Sequence, residues 1–321
     1  MPNDQLTQNA FATPAAPEVA ASPVPLAVAA ISDCGRSRTS NQDYAYAGSV
    51  PRAPEWMLLA VADGLGGHAR GDWASQRTIE LLAGSIGNAL VESGTHPGDV
   101  LAAVISGINR MIHIEAAEMG AAGAATTLVV ALIRGNEAWW ANVGDSRLYR
   151  WSRWTLSQVS ADHSWVADQV RSGKLPPSAM QGHPEKNVVT RTVGFEAAVS
   201  PDVGGPLMLC EGEILLLCSD GLHGPVSESE MSRCLGELSP NLAAERLVEL
   251  ANEAGGPDNI TVVLGHVGVS KAPAATTHLT EPAPQGAIRK RRRFRRWKFS
   301  GLAAVATLAL VAVPVTVVNF L

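Results

Sequence analysis

Five aspartates hold the chemistry. Asp63 closes the apolar run LLAVAD and precedes Gly64; Asp220 closes ILLLCSD and precedes Gly221. Asp145 follows WWANVG, Asp258 sits in GGPDN just before ITVVL, and Asp43 lies in NQD after the first apolar run. One Asp beside Gly is an ordinary turn former. Five at the ends of apolar runs pose an electrostatic problem, because clustered carboxylates repel and raise each other's pKa unless cations join them. All-oxygen ligands select Mg²⁺ or Mn²⁺ over zinc. A glycine after the aspartate leaves no Cβ between its carbonyl and an ion. By itself the pattern reads as a two-metal hydrolase and no further.

Other chemistries fit less well. The four cysteines, Cys34, Cys210, Cys218 and Cys234, are too sparse for a disulfide scaffold and lack CxxC spacing. They read as buried thiols in a reducing compartment. A cysteine phosphatase needs Arg six positions after Cys; Ser40, Leu216, Gly224 and Pro240 stand there instead. Gly64 to Ala69 fits GxGxxA, a dinucleotide fingerprint, but a second helix follows where a parallel strand is required.

The elements that must position the aspartates are legible in the periodicity. Strands are expected at 26–33, 56–63, 125–133, 137–143, 146–151, 213–220 and 259–267, and helices at 72–91, 97–119, 162–172, 228–235 and 240–253. Strands come in runs and helices in pairs. That pattern favours α+β with antiparallel sheets over the alternation of a parallel sheet.

The chain has 321 residues and a net charge of −5. Eight of its 25 Lys and Arg fall within 289–298, leaving 17 basic against 30 acidic side chains before them. So acidic a body suits cations and not nucleic acid. Residues 1–26 read as a disordered Ala/Pro-rich leader, 27–268 as the catalytic domain, 269–288 as a linker, 289–298 as a basic juxtamembrane segment and 299–321 as a single transmembrane helix. The last 22 residues carry no charge and as a helix would measure ~33 Å, against a hydrocarbon core of ~30 Å. The flanking cations place the body on the cytoplasmic side of an inner membrane.

In order, the segments 32–48, 58–75, 123–133, 141–150, 160–175, 183–194, 214–222 and 255–263 resemble the bacterial form of the type 2C metal-dependent protein serine/threonine phosphatases. VADGLGG alone is a moderate signal; the full ordered set is what is specific. The resemblance implies a four-layer α-β-β-α sandwich with two central antiparallel sheets. It implies hydrolysis of phosphoserine and phosphothreonine on proteins by a metal-bridging water. Two Mn²⁺ or Mg²⁺ ions would share Asp63, with the Gly64 carbonyl on the second and Asp220 and Asp258 completing the first. Asp43 would hold metal-bound waters, Asp145 with Asp220 would support a third ion, and Arg38 would bind the phosphate. The implied partners are a cognate serine/threonine kinase and its phosphorylated targets.

Some positions depart from the pattern. Gln42 stands where many members carry Glu, and Leu65 where eukaryotic members carry a proposed general-acid His. His68 and His163 read as structural or surface residues, and Asp162 as a helix N-cap. Residues 163–183 match the variable flap beside the active site. Trp139, Trp140, Trp151 and Trp154 read as packing residues. The rival readings are a catalytically silent phosphoprotein-binding module on the same fold, a small-molecule phosphatase and a tail-anchored signalling scaffold. A silent copy usually lacks metal carboxylates, and all five are here.

Overall fold

A computed structural model describes residues 25–268, apart from 66–69, 94 and 181. The leader up to residue 24, His68, the linker from 269, the basic segment and the apolar tail lie outside the described residues.

The chain runs through β1 (Leu26–Asp33), β2 (Asp43–Val50), β3 (Ala53–Leu65), α1 (Gly71–Ser93), α2 (Pro97–Glu118), β4 (Ala125–Thr126), β5 (Leu128–Arg134), β6 (Glu137–Val143), β7 (Arg147–Ser152) and β8 (Thr155–Gln158). Then come α3 (Trp165–Arg171), β9 (Asp202–Met208), β10 (Ile214–Cys218), α4 (Asp220–His223), α5 (Glu228–Glu237), α6 (Pro240–Glu253) and β11 (Ile260–Val267). One sheet has the order β1-β11-β10-β7-β8; the other has β2-β3-β5-β6-β9, with β4 added beside the end of β3. Every pairing is antiparallel. This is the expected α+β architecture.

Strand parity explains the layers. In β3, Leu58, Ala60 and Ala62 pack under α1 and α2, while Leu59 and Val61 face the other sheet. In β10, Leu216 and Cys218 pack under α4, α5 and α6, while Leu215 and Leu217 face inward. Alternate residues thus fill two helix–sheet cores and one sheet–sheet core, because successive side chains leave a strand on opposite faces. The helices close the two outer layers.

Several elements differ from expectation. β2, β8, β9 and α4 carry no clear periodic signal. β2 reads DYAYAGSV, and its inward Ala45 and Ala47 are small because they lie in the sheet–sheet core. β9 holds Pro206, which an edge strand tolerates because it needs no ladder donor there. Asp220 does not end a strand: β10 stops at Cys218, and Asp220 opens α4. Residues 125–133 form two strands, interrupted at Thr127.

Helix α2 is long and apolar enough to cross a membrane. It instead buries Val100, Leu101, Ile105, Ile108 and Ile112 against the sheet. Trp139 is buried against Trp56, Trp151 donates from Nε1 to Ser232 Oγ at 3.0 Å, and the exposed Trp154 lies edge-on to Trp151. The tryptophans pack, as expected. No disulfide forms among the cysteines; Cys218 and Cys234 are buried, but Cys210 is exposed and Cys34 partly so, against the expectation for all four.

Candidate metal centre

The inward-facing strand columns turn polar at one end. Continuing Leu59 and Val61 by two gives Asp63, and preceding Ala45 and Ala47 by two gives Asp43. Ser219 extends Leu215 and Leu217, Thr261 precedes Val263, Thr127 precedes Val129, and Ser146 precedes Leu148. The rule that builds the apolar layer therefore also delivers polar side chains to its end.

Hydrogen bonds fix this end. Asp43 is paired directly opposite Asp63 in the β2–β3 ladder. Ser219 Oγ donates to Asp43 Oδ2 at 2.7 Å and accepts from the Thr261 N–H at 3.0 Å. The Asp63 N–H donates to Thr127 Oγ1 at 3.0 Å, and its carbonyl accepts from Thr126 Oγ1 and the Thr127 N–H, both at 2.8 Å. A Cβ at Gly64 would meet Gly71 O at 2.3 Å and Gln42 O at 2.6 Å, so close backbone approach alone demands glycine there.

Asn259 ties the loop carrying Arg38 to the start of β11. Its Nδ2 donates to Cys34 O and Ser40 O, each at 3.0 Å, and its Oδ1 accepts from the Gln42 N–H at 2.9 Å. Arg38 Nη2 then donates to Asp258 Oδ2 at 2.7 Å at the exposed rim. Sequence reasoning missed Asn259, although it follows Asp258 within a quoted motif.

The electrostatics are strained. Burial raises the Asp63 carboxyl well above its ordinary range, and Asp43, Asp220, Asp145 and Asp258 push it further. Burial lifts Asp43 to about 6 against the Ser219 hydrogen bond. Burial and Asp258 lift Asp220 to about 6 although Arg38 opposes them. Burial, then Asp220 and Asp162, lift Asp145 to about 8. Asp43 Oδ1 and Asp220 Oδ1 are buried without a hydrogen-bond partner.

Among the described residues, no three Asp, Glu, His or Cys side chains gather about a single point. The aspartates nevertheless lie close enough to repel one another. Orphaned carboxylate oxygens among mutually repelling, desolvated carboxyls are a donor set that fits hard divalent cations. All five expected aspartates, Gly64 and Arg38 contribute to this one region.

One expectation needs correcting. Asp162 is not an N-cap: Ser164 caps α3, accepting from the Ala167 N–H at 3.4 Å. Buried Asp162 instead accepts from Arg147 Nε at 2.9 Å and Nη2 at 2.7 Å, which neutralises a charge near Asp145. His163 is structural, as expected, but it acts on the Asp145 turn, where the Gly144 N–H donates to its Nδ1 at 3.0 Å. His223, which the sequence did not single out, bonds from Nε2 to Asp145 O at 3.0 Å. Desolvation lowers the basicity of both histidines, His223 to about 3.

At the end of β3, the paired Leu65 and Ala125 line a cleft of about 570 Å³ together with Val189, Phe195 and Val199. Phe195 is exposed.

Two antiparallel sheets thus pack face to face, with aspartates gathered at one end of their shared core. The protein phosphatase 2C family profile matches residues 33–253. Protein phosphatase PhpP of Streptococcus pneumoniae is 36% identical over 239 residues, 74% of this chain and 96% of that protein. Serine/threonine protein phosphatase PstP of Mycobacterium tuberculosis is 36% identical over 249 residues, 75% of this chain and 45% of PstP. The crystal structure of the catalytic domain of PstP in complex with two manganese ions superimposes with a TM-score of 0.65 at 35% identity, covering 75% of this chain and 98% of that one. The chain belongs to the protein phosphatase 2C family.

Proposed function

We propose that the chain is a Mn²⁺- or Mg²⁺-dependent protein phosphatase acting on phosphoserine and phosphothreonine. The registered Asp43–Asp63 pair, buried beside carboxylate oxygens that lack partners, carries this reading. Asp63 would be shared by two ions, with the Gly64 carbonyl, Asp220 and Asp258 as further ligands, Asp43 holding bound water, and Asp145 with Asp220 supporting a third ion. Bound divalent cations supply charge neutralisation and a water that is nucleophilic at neutral pH. Ser219 orients the Asp43 carboxylate, and Thr127 holds the Asp63 backbone, for that role. Arg38, at the rim beside Asp258, is placed to offer its planar fork to phosphoryl oxygens, which a lysine cannot match. The cleft beyond Leu65 would receive the peptide on either side of the phosphorylated residue. No observation favours the silent binding module.

Asp63→Asn and Asp220→Asn should each abolish nearly all hydrolysis of p-nitrophenyl phosphate in Mn²⁺, with the fold retained. Wild-type rates in a folded Asp63→Asn protein would refute the assignment.

The tail completes the proposal. The cationic run 289–298 followed by uncharged 299–321 supports a single-pass anchor in the inner membrane, with the catalytic body in the cytoplasm. There it would reverse the phosphorylation made by a cognate serine/threonine kinase. Full-length protein should resist carbonate and high-salt extraction; release by salt alone would mean surface attachment.

A further inference from the structure

We propose that His163 and His223 are a pair of positioning residues that hold the Gly144–Asp145 turn and thereby aim the Asp145 carboxylate. This rests on the assignment of Asp145 to the metal centre.

The turn needs holding. Gly144 has φ of +110°, and a Cβ there would meet Thr127 Cβ at 2.6 Å, so no other residue can take its place. The Asp145 side chain that follows is buried and repelled chiefly by Asp220. A tight turn bearing a repelled carboxylate would relax outward unless its backbone were fastened.

The two histidines fasten it with opposite polarity. The Gly144 N–H donates to His163 Nδ1 at 3.0 Å. Nδ1 is therefore unprotonated, and the neutral ring carries its hydrogen on Nε2, which lies 3.0 Å from Asp202 Oδ2 but out of line for a hydrogen bond. Asp202 is held in turn by Arg191 Nη1, which donates to Oδ1 at 2.6 Å. On the other side, His223 Nε2 stands 3.0 Å from Asp145 O. A carbonyl only accepts, so His223 also carries its hydrogen on Nε2. One ring accepts through Nδ1 and the other donates through Nε2. Two further bonds, from Asn142 Nδ2 at 3.1 Å and from the His163 backbone N–H at 2.9 Å, both to Gly144 O, complete the clamp and are kept in side-chain variants of His163.

This polarity gives a reciprocal test. Asparagine places an amide oxygen near the position of a histidine Nδ1, and glutamine places an amide nitrogen near that of Nε2. His163→Asn should keep the acceptor for Gly144 and His163→Gln should lose it. His223→Gln should keep the donor to Asp145 and His223→Asn should lose it. Mn²⁺ titrations of the full-length chain by calorimetry, with kcat and KM on a phosphothreonine peptide, read the outcome.

We expect His163→Asn and His223→Gln to bind Mn²⁺ within about twofold of wild type. His163→Gln and His223→Asn should weaken one Mn²⁺ site roughly tenfold, the scale of one hydrogen bond, and lower kcat with little change in KM. A role in packing alone would not reverse the preference between the two histidines. Equal Mn²⁺ binding by the Asn and Gln variants at both positions overturns the proposal. If one pair fails to fold, the other pair decides. Asp145→Asn separates the two levels: wild-type Mn²⁺ binding by that variant would sink the assignment of Asp145 itself. Loss of a site there, with no Asn–Gln difference at the histidines, would sink only the clamp.

Discussion

Asp43 and Asp63 stand directly opposite one another in the β2–β3 ladder, both at the end of the sheet–sheet core. Like charges at opposed positions destabilise a sheet, and burial sharpens the repulsion. The pair is therefore kept at a cost to the fold, which bound cations would offset.

Asp43→Asn should raise the melting temperature of chelated protein by a few °C, since about 1 kcal/mol shifts a domain of this size by roughly 2–4 °C. The same variant should gain less stability than wild type from added Mn²⁺. Scanning fluorimetry with and without Mn²⁺ checks both. A fall in the chelated melting temperature would show that the pair does not repel.

Arg38→Ala should raise KM for phosphopeptides about 10- to 150-fold, the range of a charge-assisted pair of roughly 1.5–3 kcal/mol. The fall in kcat should be smaller, because the phosphate is held in ground and transition states alike. Arg38→Lys should recover part of the loss. Mn²⁺ affinity should hold or rise, as Asp258 loses a competing cation. Arg36, whose backbone N–H donates to Gly256 O at 2.8 Å, supplies the control: its Ala variant should behave as wild type. Unchanged KM in Arg38→Ala would misplace the clamp.

Chelated protein should lose stability as pH rises from 6.5 to 8. The Asp145 carboxyl titrates near 8 in the fold, and Asp63 lies well above its ordinary range, against about 3.9 in an unfolded chain. The folded state then binds more protons than the unfolded state, so stability falls with rising pH. His223 acts in the opposite sense below about pH 6.5, where an unfolded histidine protonates and this one, near 3, does not. That opposing contribution fades over about the first pH unit of the window, while the carboxylate contribution persists to its end. Saturating Mn²⁺ should abolish the fall, and Asp145→Asn should reduce it. A chelated melting temperature that rises across this window would contradict the carboxylate cluster.

How much of this was readable follows from the range of each interaction. Asp63 and Asp220 were visible because each ends an apolar run, and the run exists because alternate residues fill two cores. β2 was hidden, since the narrow space between sheets takes Ala45 and Ala47 in place of large residues. Asp162 was misread because its neighbours suggest a cap, while its partner Arg147 lies on β7. Asn259 and Gln42 bond across 217 positions, and such pairs leave no periodic trace. Local pattern thus located the charges, whereas the groups that orient them came from tertiary packing.

The central claim is that these carboxylates work only through bound cations. The most direct measurement is phosphate release from a phosphothreonine peptide by full-length protein, before chelation, after exhaustive EDTA treatment, and after Mn²⁺ is restored. The account predicts loss of at least about a thousandfold on chelation, given the very large barrier to phosphate-ester hydrolysis. It predicts full recovery with Mn²⁺ for wild type and none for Asp63→Asn. Undiminished release from the chelated protein would contradict it.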